Sequence, residues 1–229
     1  MTEKIEIPSS ELVISVDDVL RAQGAKPEVI HARRPAIVES TQQAIEMGLQ
    51  KVHLIGWLQE LPVRAVTHDR IQLADGHVLT GSLVMQKLAG STSVYFAIGT
   101  IGAGLEQYVT QNLQEDSAFC YILDTVGSVC AEKFGQYLES TIRKRAKAQE
   151  KLNSISISPG LIGWPVDEGQ PQIFEVLQPE PELVQLSTSA QMLPRKSISF
   201  VMGIGCPEGK GTQCDYSELR DRCQNRANN

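Results

Sequence analysis

Three cysteines near the end of the chain, Cys206, Cys214 and Cys223, are the first residues whose chemistry demands a decision. Thiolates ligate zinc and iron–sulfur clusters, and those sites want four ligands, commonly in Cys-x-x-Cys pairs. Here Cys214-Asp215-Tyr216-Ser217 has serine where the second cysteine would stand, which leaves three thiols, one short of a closed four-cysteine site. Thiols beside Lys210 and Arg222 would instead be redox-active if exposed, because neighbouring cations favour the thiolate. Cys120 and Cys130 lie ten apart inside a helical pattern and read as small buried hydrophobes. His53, His68 and His77 share no helical spacing and read as surface or turn residues rather than metal ligands.

Glycines give a second candidate. Gly99, Gly102 and Gly104 follow the apolar run Ser93–Ile98 and invite a phosphate-loop reading. The spacing excludes it, since no Gly-Lys-Ser/Thr follows and Gly-x-x-Gly-x-Gly inverts the dinucleotide-binding order. A tight strand-to-helix junction is the better account. The third candidate is Ser154 to Phe174, which holds Pro159, Gly160, Gly163, Trp164 and Pro165 within seven residues. Proline fixes φ and glycine opens it, so this stretch encodes a rigid, irregular loop, a kind of segment on which binding groups collect. Its plainer reading is a buried turn with Trp164 as the plug.

These residues need a scaffold. At 229 residues and 41% hydrophobic composition the chain can bury a substantial core. Its net charge of −6 argues against a nucleic-acid partner. No run of about 18 apolar residues is present, so no membrane span is expected. The start Met-Thr-Glu-Lys-Ile-Glu-Ile-Pro lacks the features of a signal peptide, and five cysteines make a poor disulfide framework. The expected setting is the cytoplasm.

Periodicity places the elements. Residues 9–24 read as a short helix with Asp17 and Asp18 in its first turn and Gly24 past its end, and residues 36–50 as a second helix. Val52–Leu58 and Val63–Thr67 read as two strands, and Asp75-Gly76 as a two-residue hairpin turn. Residues 117–152 carry the longest helical pattern, with Gly127 and Ser128 marking a close approach. Cations gather at its end, from Arg143 to Lys151, where the helix dipole favours them; they read as an end-cap before a binding patch. Gln172–Leu177 reads as a short helix and Val184–Leu186 as strand-like. Residues 187–197 read as a polar segment, and Ile198–Gly205 as a strand.

Taken in order, these pieces resemble a known family. Ser158-Pro159-Gly160-Leu161, with Trp164-Pro165 and Gln170, is similar to the "Arg-x-Ser-Pro-Gly-Tyr…Trp-Pro-Leu…Gln" signature of stand-alone relatives of the cobalamin-dependent methionine synthase activation (reactivation) domain. Thr100-Ile101-Gly102 with Glu106 resembles the family's "Thr-Ile-Gly…Glu" turn, and Leu123-Asp124, Gly127-Ser128 and Glu132 resemble its long helix. Leu186-Ser187 through Met192-Leu193-Pro194-Arg195-Lys196-Ser197-Ile198-Ser199-Phe200 resembles its "Leu-Thr-Pro-Ser…Met-x-Pro-x-Lys-Ser-x-Ser" segment. The likeness runs from about Val16 to Gly205.

The resemblance implies an α+β fold, helices packed on a twisted antiparallel sheet, in one domain over residues 1–205 with a cysteine-containing tail over 206–229. It implies a non-autonomous component of a split cobalamin-dependent methionine synthase or related corrinoid methyltransferase. Such a component supports reductive methylation of the corrinoid with S-adenosylmethionine. The implied partners are a corrinoid-binding methyltransferase protein carrying cobalamin and a flavodoxin- or ferredoxin-type electron donor. The implied cofactor-binding residues are Ser156, Ser158, Pro159, Gly160, Leu161, Trp164, Met192, Lys196 and Ser197, with the Pro-Gly turn and the Lys-Ser strand expected to face each other as a wall of one cleft. Two positions depart from the signature: Ser156 stands where it has arginine, and Leu161 where it has tyrosine. An arginine fork pairs bidentately with a carboxylate and a serine hydroxyl does not, although Arg195 or Lys196 would substitute electrostatically. Two other expectations follow. One is a non-catalytic corrinoid-protein-binding module that has lost S-adenosylmethionine; the other is a metal or iron–sulfur redox activator built on Cys206, Cys214 and Cys223.

Overall fold

Every residue from Ser93 to Thr100 is buried, which marks this segment as the middle of a sheet covered on both faces. The computed structural model describes residues 1–206 and 213–217, with only the backbone at 213 and 214. The elements run β1 (Glu3–Ile7), α1 (Val16–Ala22), α2 (Pro27–Arg33), α3 (Pro35–Lys51), β2 (Leu54–Val66), β3 (Arg70–Leu73), β4 (Val78–Thr80), α4 (Ser82–Leu88) and β5 (Ser93–Thr100). They continue α5 (Gly104–Asn112), α6 (Ser117–Ala148), α7 (Val166–Leu177), β6 (Gln185–Leu186), β7 (Met192–Leu193) and β8 (Ser197–Ile204). The main sheet is antiparallel throughout, in the order β4-β3-β2-β5-β8, with β1 pairing the first half of β2. It is the α+β arrangement expected.

Alternation along the central strands builds two cores. Tyr95 and Ala97 of β5, with Phe200 and Met202 of β8, join Leu123, Phe134 and Leu138 of α6 on one face. Val94, Phe96 and Ile98, with Val201, join Leu83 of α4 and Ile173 and Leu177 of α7 on the other. Where α6 crosses the sheet, Gly56 and Gly99 are cross-strand partners. A Cβ on Gly99 would stand 3.0 Å from Leu138 and 3.1 Å from the Phe134 ring. Gly104 opens α5 against the Lys51 carbonyl, 2.6 Å from where its Cβ would be. Gly99 is thus accounted for by helix–sheet contact and Gly104 by the close approach of α5 to the end of α3, without phosphate.

Several local expectations are corrected. The two strands expected over 52–67 are one strand, β2, with a register shift between Val63 and Ala65. Pro62 beside that irregularity lacks only a donor, so it interrupts the pattern without ending the strand. The Asp75-Gly76 hairpin closes with a three-residue loop, Leu73 N–H donating to the His77 carbonyl and Gly76 at φ +98°. That is the type I turn with a glycine bulge, the next commonest hairpin closure. The expected helix over 9–24 is a single 3-10 turn at Ser9–Glu11 followed by α1, whose start is fixed by a reciprocal Ser15–Asp18 capping box. The loop expected from Ser154 to Phe174 ends at Pro165, and α7 begins six residues before Gln172 in spite of Gly169 and Pro171. Buried Ile173, Val176 and Leu177 outweigh those two weak helix formers. The polar stretch after Leu186 is a small hairpin, β6–β7. Helices α2 and α4 were not expected from periodicity.

Candidate functional site

The seam between α6 and the start of β8 is where exposed polar groups meet a concavity. Lys196 precedes β8 and lies along α6: its Nζ donates to Asp124 Oδ2 at 2.9 Å and to Ser128 Oγ at 2.8 Å. Beside it, Gly127 lets α5 pack close against α6, because a Cβ there would stand 2.9 Å from Leu105, while the Lys196 stem lies at an ordinary contact distance of 3.5 Å. The close approach expected at Gly127-Ser128 is the one to Leu105. Arg195 is held from its backbone, whose N–H donates to Glu106 Oε2 at 3.0 Å. Ser197 Oγ donates to the Pro194 carbonyl at 2.7 Å and lies 2.8 Å from Thr100 Oγ1. Beside these residues a groove of about 380 Å³ is lined by Ser128, Ala131, Glu132, Arg195, Lys196, Ser197 and Ile198. Lys196 is consumed by its ion pair, whereas the Arg195 side chain is exposed and forms no ion pair among the described residues. The groove thus offers one unengaged guanidinium, one exposed carboxylate (Glu132), two hydroxyls and two apolar side chains. That set matches a zwitterionic amino-acid group: a cation for its carboxylate and an anion for its ammonium.

Seven residues further along α6, about 10 Å by helical rise, Glu139 Oε1 accepts from Ser156 Oγ at 2.6 Å. Ser156 is 4% exposed, so the position where the signature has arginine holds a short side chain turned against α6. Its neighbour Ile157 exchanges two backbone hydrogen bonds with Val201, which anchors this segment beside the second half of β8. Four strand residues separate Val201 from Ser197, about 13 Å.

The rest of the expected site lies elsewhere. Gly160, at φ +97°, turns the chain off this path, and its N–H donates to the Trp164 carbonyl at 2.8 Å. Leu161 bridges to Trp164 and packs at the margin of the α7-side core, as does Met192. Trp164 is fully buried; a Cβ on Gly169 would stand 2.7 Å from its ring and one on Gly81 equally close. Pro159 covers Gly169 from the loop side, and the Ser158 carbonyl accepts from Leu161 N–H. None of Ser158 to Trp164 lines the groove at Ser197. Of the expected residues, the structure brings Lys196 and Ser197 together with α6 and sets Ser156 on the same seam. Pro159, Leu161, Trp164 and Met192 belong to the packing of the opposite face.

Sequence reasoning missed Glu139, although it stands seven residues after Glu132 and therefore on the same helix face. Ser199 and Gln170, both within the family-like segments, are joined on folding: the Ser199 hydroxyl donates to Gln170 Oε1 at 3.0 Å as a buried pair linking β8 to α7. Cys206 is buried, with its thiol 3.7 Å from the Gly203 carbonyl. Cys223 and the Cys214 side chain lie outside the described residues. Among the described residues no three His, Cys, Asp or Glu side chains cluster as metal ligands. Burial pushes the Cys130 thiol up to about 12, which removes it from thiolate chemistry. His53 and His77 pair separately with Glu6 and Asp75 on the surface. No helix among the described residues is long and apolar enough to cross a membrane.

No family model matches this sequence, and no curated protein matches it. A solved structure does: the MetH reactivation domain bound to AdoHcy is similar with a TM-score of 0.70 at 13% identity, covering 99% of this chain and 86% of that one. From β1 to the end of β8, then, the chain has the fold of the MetH reactivation domain.

Proposed function

We propose that the chain is a reactivation-domain-like component acting on a corrinoid-binding methyltransferase protein, with S-adenosylmethionine as methyl donor. The observation that carries this reading is the likeness, over nearly the whole chain, to a domain solved with AdoHcy, the demethylated form of that donor. The groove chemistry supports it. Arg195 would pair with the donor's carboxylate, Glu132 would accept from its α-ammonium, and Ser128 and Ser197 would add hydrogen bonds. Ala131 and Ile198 give apolar contact. Cobalamin on the partner would supply the reacting metal centre, and a flavodoxin- or ferredoxin-type protein the electron. The work left to this chain is binding and orientation, which alone are worth several orders of magnitude in rate. In this reading the protein is cytoplasmic and does nothing catalytic without its partner.

Calorimetry with S-adenosylmethionine tests the binding step, and methylcobalamin formation on a reduced corrinoid partner tests the outcome. Binding that weakens at least about tenfold in Arg195→Ala, as loss of a charge-assisted pair requires, supports the groove. Absence of both the heat of binding and the stimulation of the partner would refute the proposal.

A second reading is favoured by one observation: Ser156, in the arginine position, is buried and bonded to Glu139. In that reading the chain is a corrinoid-protein-binding module without the donor. A complex with the corrinoid protein, no heat with S-adenosylmethionine, and recovery of that heat in Ser156→Arg with Leu161→Tyr would establish it. Tight donor binding by the unaltered chain would exclude it.

A further inference from the structure

The last turns of α6 carry more positive charge than the helix needs. Arg143, Lys144, Arg145, Lys147 and Lys151 fall within nine residues of a chain whose net charge is −6. A helix C-terminus presents roughly half a negative charge, which one or two cations satisfy. Arg145 is committed to Glu3 through two contacts, at 2.6 and 2.9 Å, and Arg143 approaches Glu139 at 3.7 Å. Lys144, Lys147 and Lys151 are exposed and form neither ion pair nor hydrogen bond through their side chains among the described residues. Beyond the helix the chain turns sharply, with Glu150 at φ +56° and Lys151 N–H returning to the Ala146 carbonyl at 2.9 Å. That turn folds Lys151 and Leu152 back beside Arg143 and Lys147.

The result is a surface hollow of about 390 Å³, lined by Arg143, Lys147, Glu150, Lys151, Leu152 and Asn153. Three cations and one carboxylate line it, and Leu152 stands in it at 55% exposure. Every lining side chain except Asn153 is exposed, so the hollow is shallow, unlike the enclosed sites that hold small molecules. An exposed aliphatic residue beside Lys147 and Lys151, neither of them ion-paired among the described residues, has the make-up of a protein contact: an apolar centre with a charged rim that steers a partner of opposite sign. We propose that the Arg143–Asn153 surface docks an acidic segment of a partner protein, its Asp and Glu carboxylates on Lys147, Lys151 and Arg143 and an apolar residue on Leu152. The proposal does not depend on the methyl-donor reading, since the hollow and the Ser197 groove share no lining residue.

The test uses the full chain and a short fluorescein-labelled peptide of Glu and Asp with one central Phe, followed by fluorescence anisotropy. Expected is saturable binding that weakens as salt is raised. Lys147→Glu with Lys151→Glu should weaken it at least about tenfold, as reversal of paired charges does. The charge-matched control, Lys26→Glu with Arg64→Glu, changes exposed residues outside the hollow and should cost less than about twofold, the size of a long-range field effect. Leu152→Ser, which leaves the charge intact, should weaken binding severalfold. Equal weakening by the two double variants would overturn the proposal, because the peptide would then be reading net charge alone. So would an unaltered affinity in Leu152→Ser together with displacement by tripolyphosphate at equal charge concentration, which would make the hollow a phosphate site. Thermal melts that coincide for all variants keep these outcomes separate from unfolding.

Discussion

The Pro-Gly turn and the α6–β8 seam are opposite kinds of structure. The turn is conspicuous in sequence, with two prolines, two glycines and a tryptophan in seven residues, and it is spent on packing. The seam is made of ordinary residues, a serine here and a glutamate one turn on, and it holds the polar groove. The lesson is about what each sequence feature encodes. Rare backbone conformations and a large aromatic mark where the chain must be fixed, whereas a groove needs residues from distant elements whose relation appears only on folding.

The sharpest way to break this contrast is Trp164→Ala. If the turn is a packing device, removing a fully buried indole should destabilise the protein by about 3–5 kcal/mol, measured by denaturant unfolding. Arg195→Ala, in the groove and without an ion pair, should change stability by less than about 0.5 kcal/mol. Comparable losses in both variants would erase the distinction between the regions.

A smaller effect tests whether Ser156 belongs to the seam. Ser156→Ala removes the donor to Glu139 and leaves a half-buried carboxylate less satisfied. The expected loss is about 1–2 kcal/mol, larger than for serine replacements on the exposed surface. Ser156→Ala combined with Glu139→Gln should cost less than the sum of the two single changes, because the pair is then lost only once. Strict additivity would place Ser156 in the packing of the turn alone.

How much of this was legible beforehand follows from the same physics. The long helix was readable from its three- and four-residue steps, the central strand from its unbroken apolar run and β8 from its alternation. Gly127 announced its contact because glycine inside a strong helical pattern is costly unless a second element must come close. The single strand β2 was hidden by Pro62, whose cost vanishes beside a bulge that no local pattern shows. The start of α7 was hidden by Gly169, a residue kept small by the Trp164 ring rather than by any turn. Of the expected site residues, Lys196 and Ser197 came from the ordered resemblance, not from spacing. Arg195 was named there as a stand-in for the missing arginine, whereas Glu139 becomes a candidate only when α6 and the Ser156 segment are seen side by side.

The smallest effect concerns how the far end of the seam is tied. Glu3 of β1 clamps Arg145 of α6, and hydrogen bonding to that guanidinium holds the Glu3 carboxyl below its usual range. The clamp is partly exposed, so Glu3→Gln should lower stability at neutral pH by no more than about 1 kcal/mol. The sign with pH is fixed by linkage. A carboxyl whose pKa is lowered on folding contributes stability that is complete above its unfolded value and disappears as pH falls through the folded one. The difference between Glu3→Gln and the unaltered protein should therefore be constant from neutral pH down to about pH 5 and shrink below pH 4.5, the ordinary glutamate value. Trp164→Ala should show no such dependence, because its loss is one of packing. A Glu3→Gln deficit that persisted undiminished into acid would mean that β1 is held by its strand pairing with β2 alone, and that Arg145 is as free as the lysines beside it.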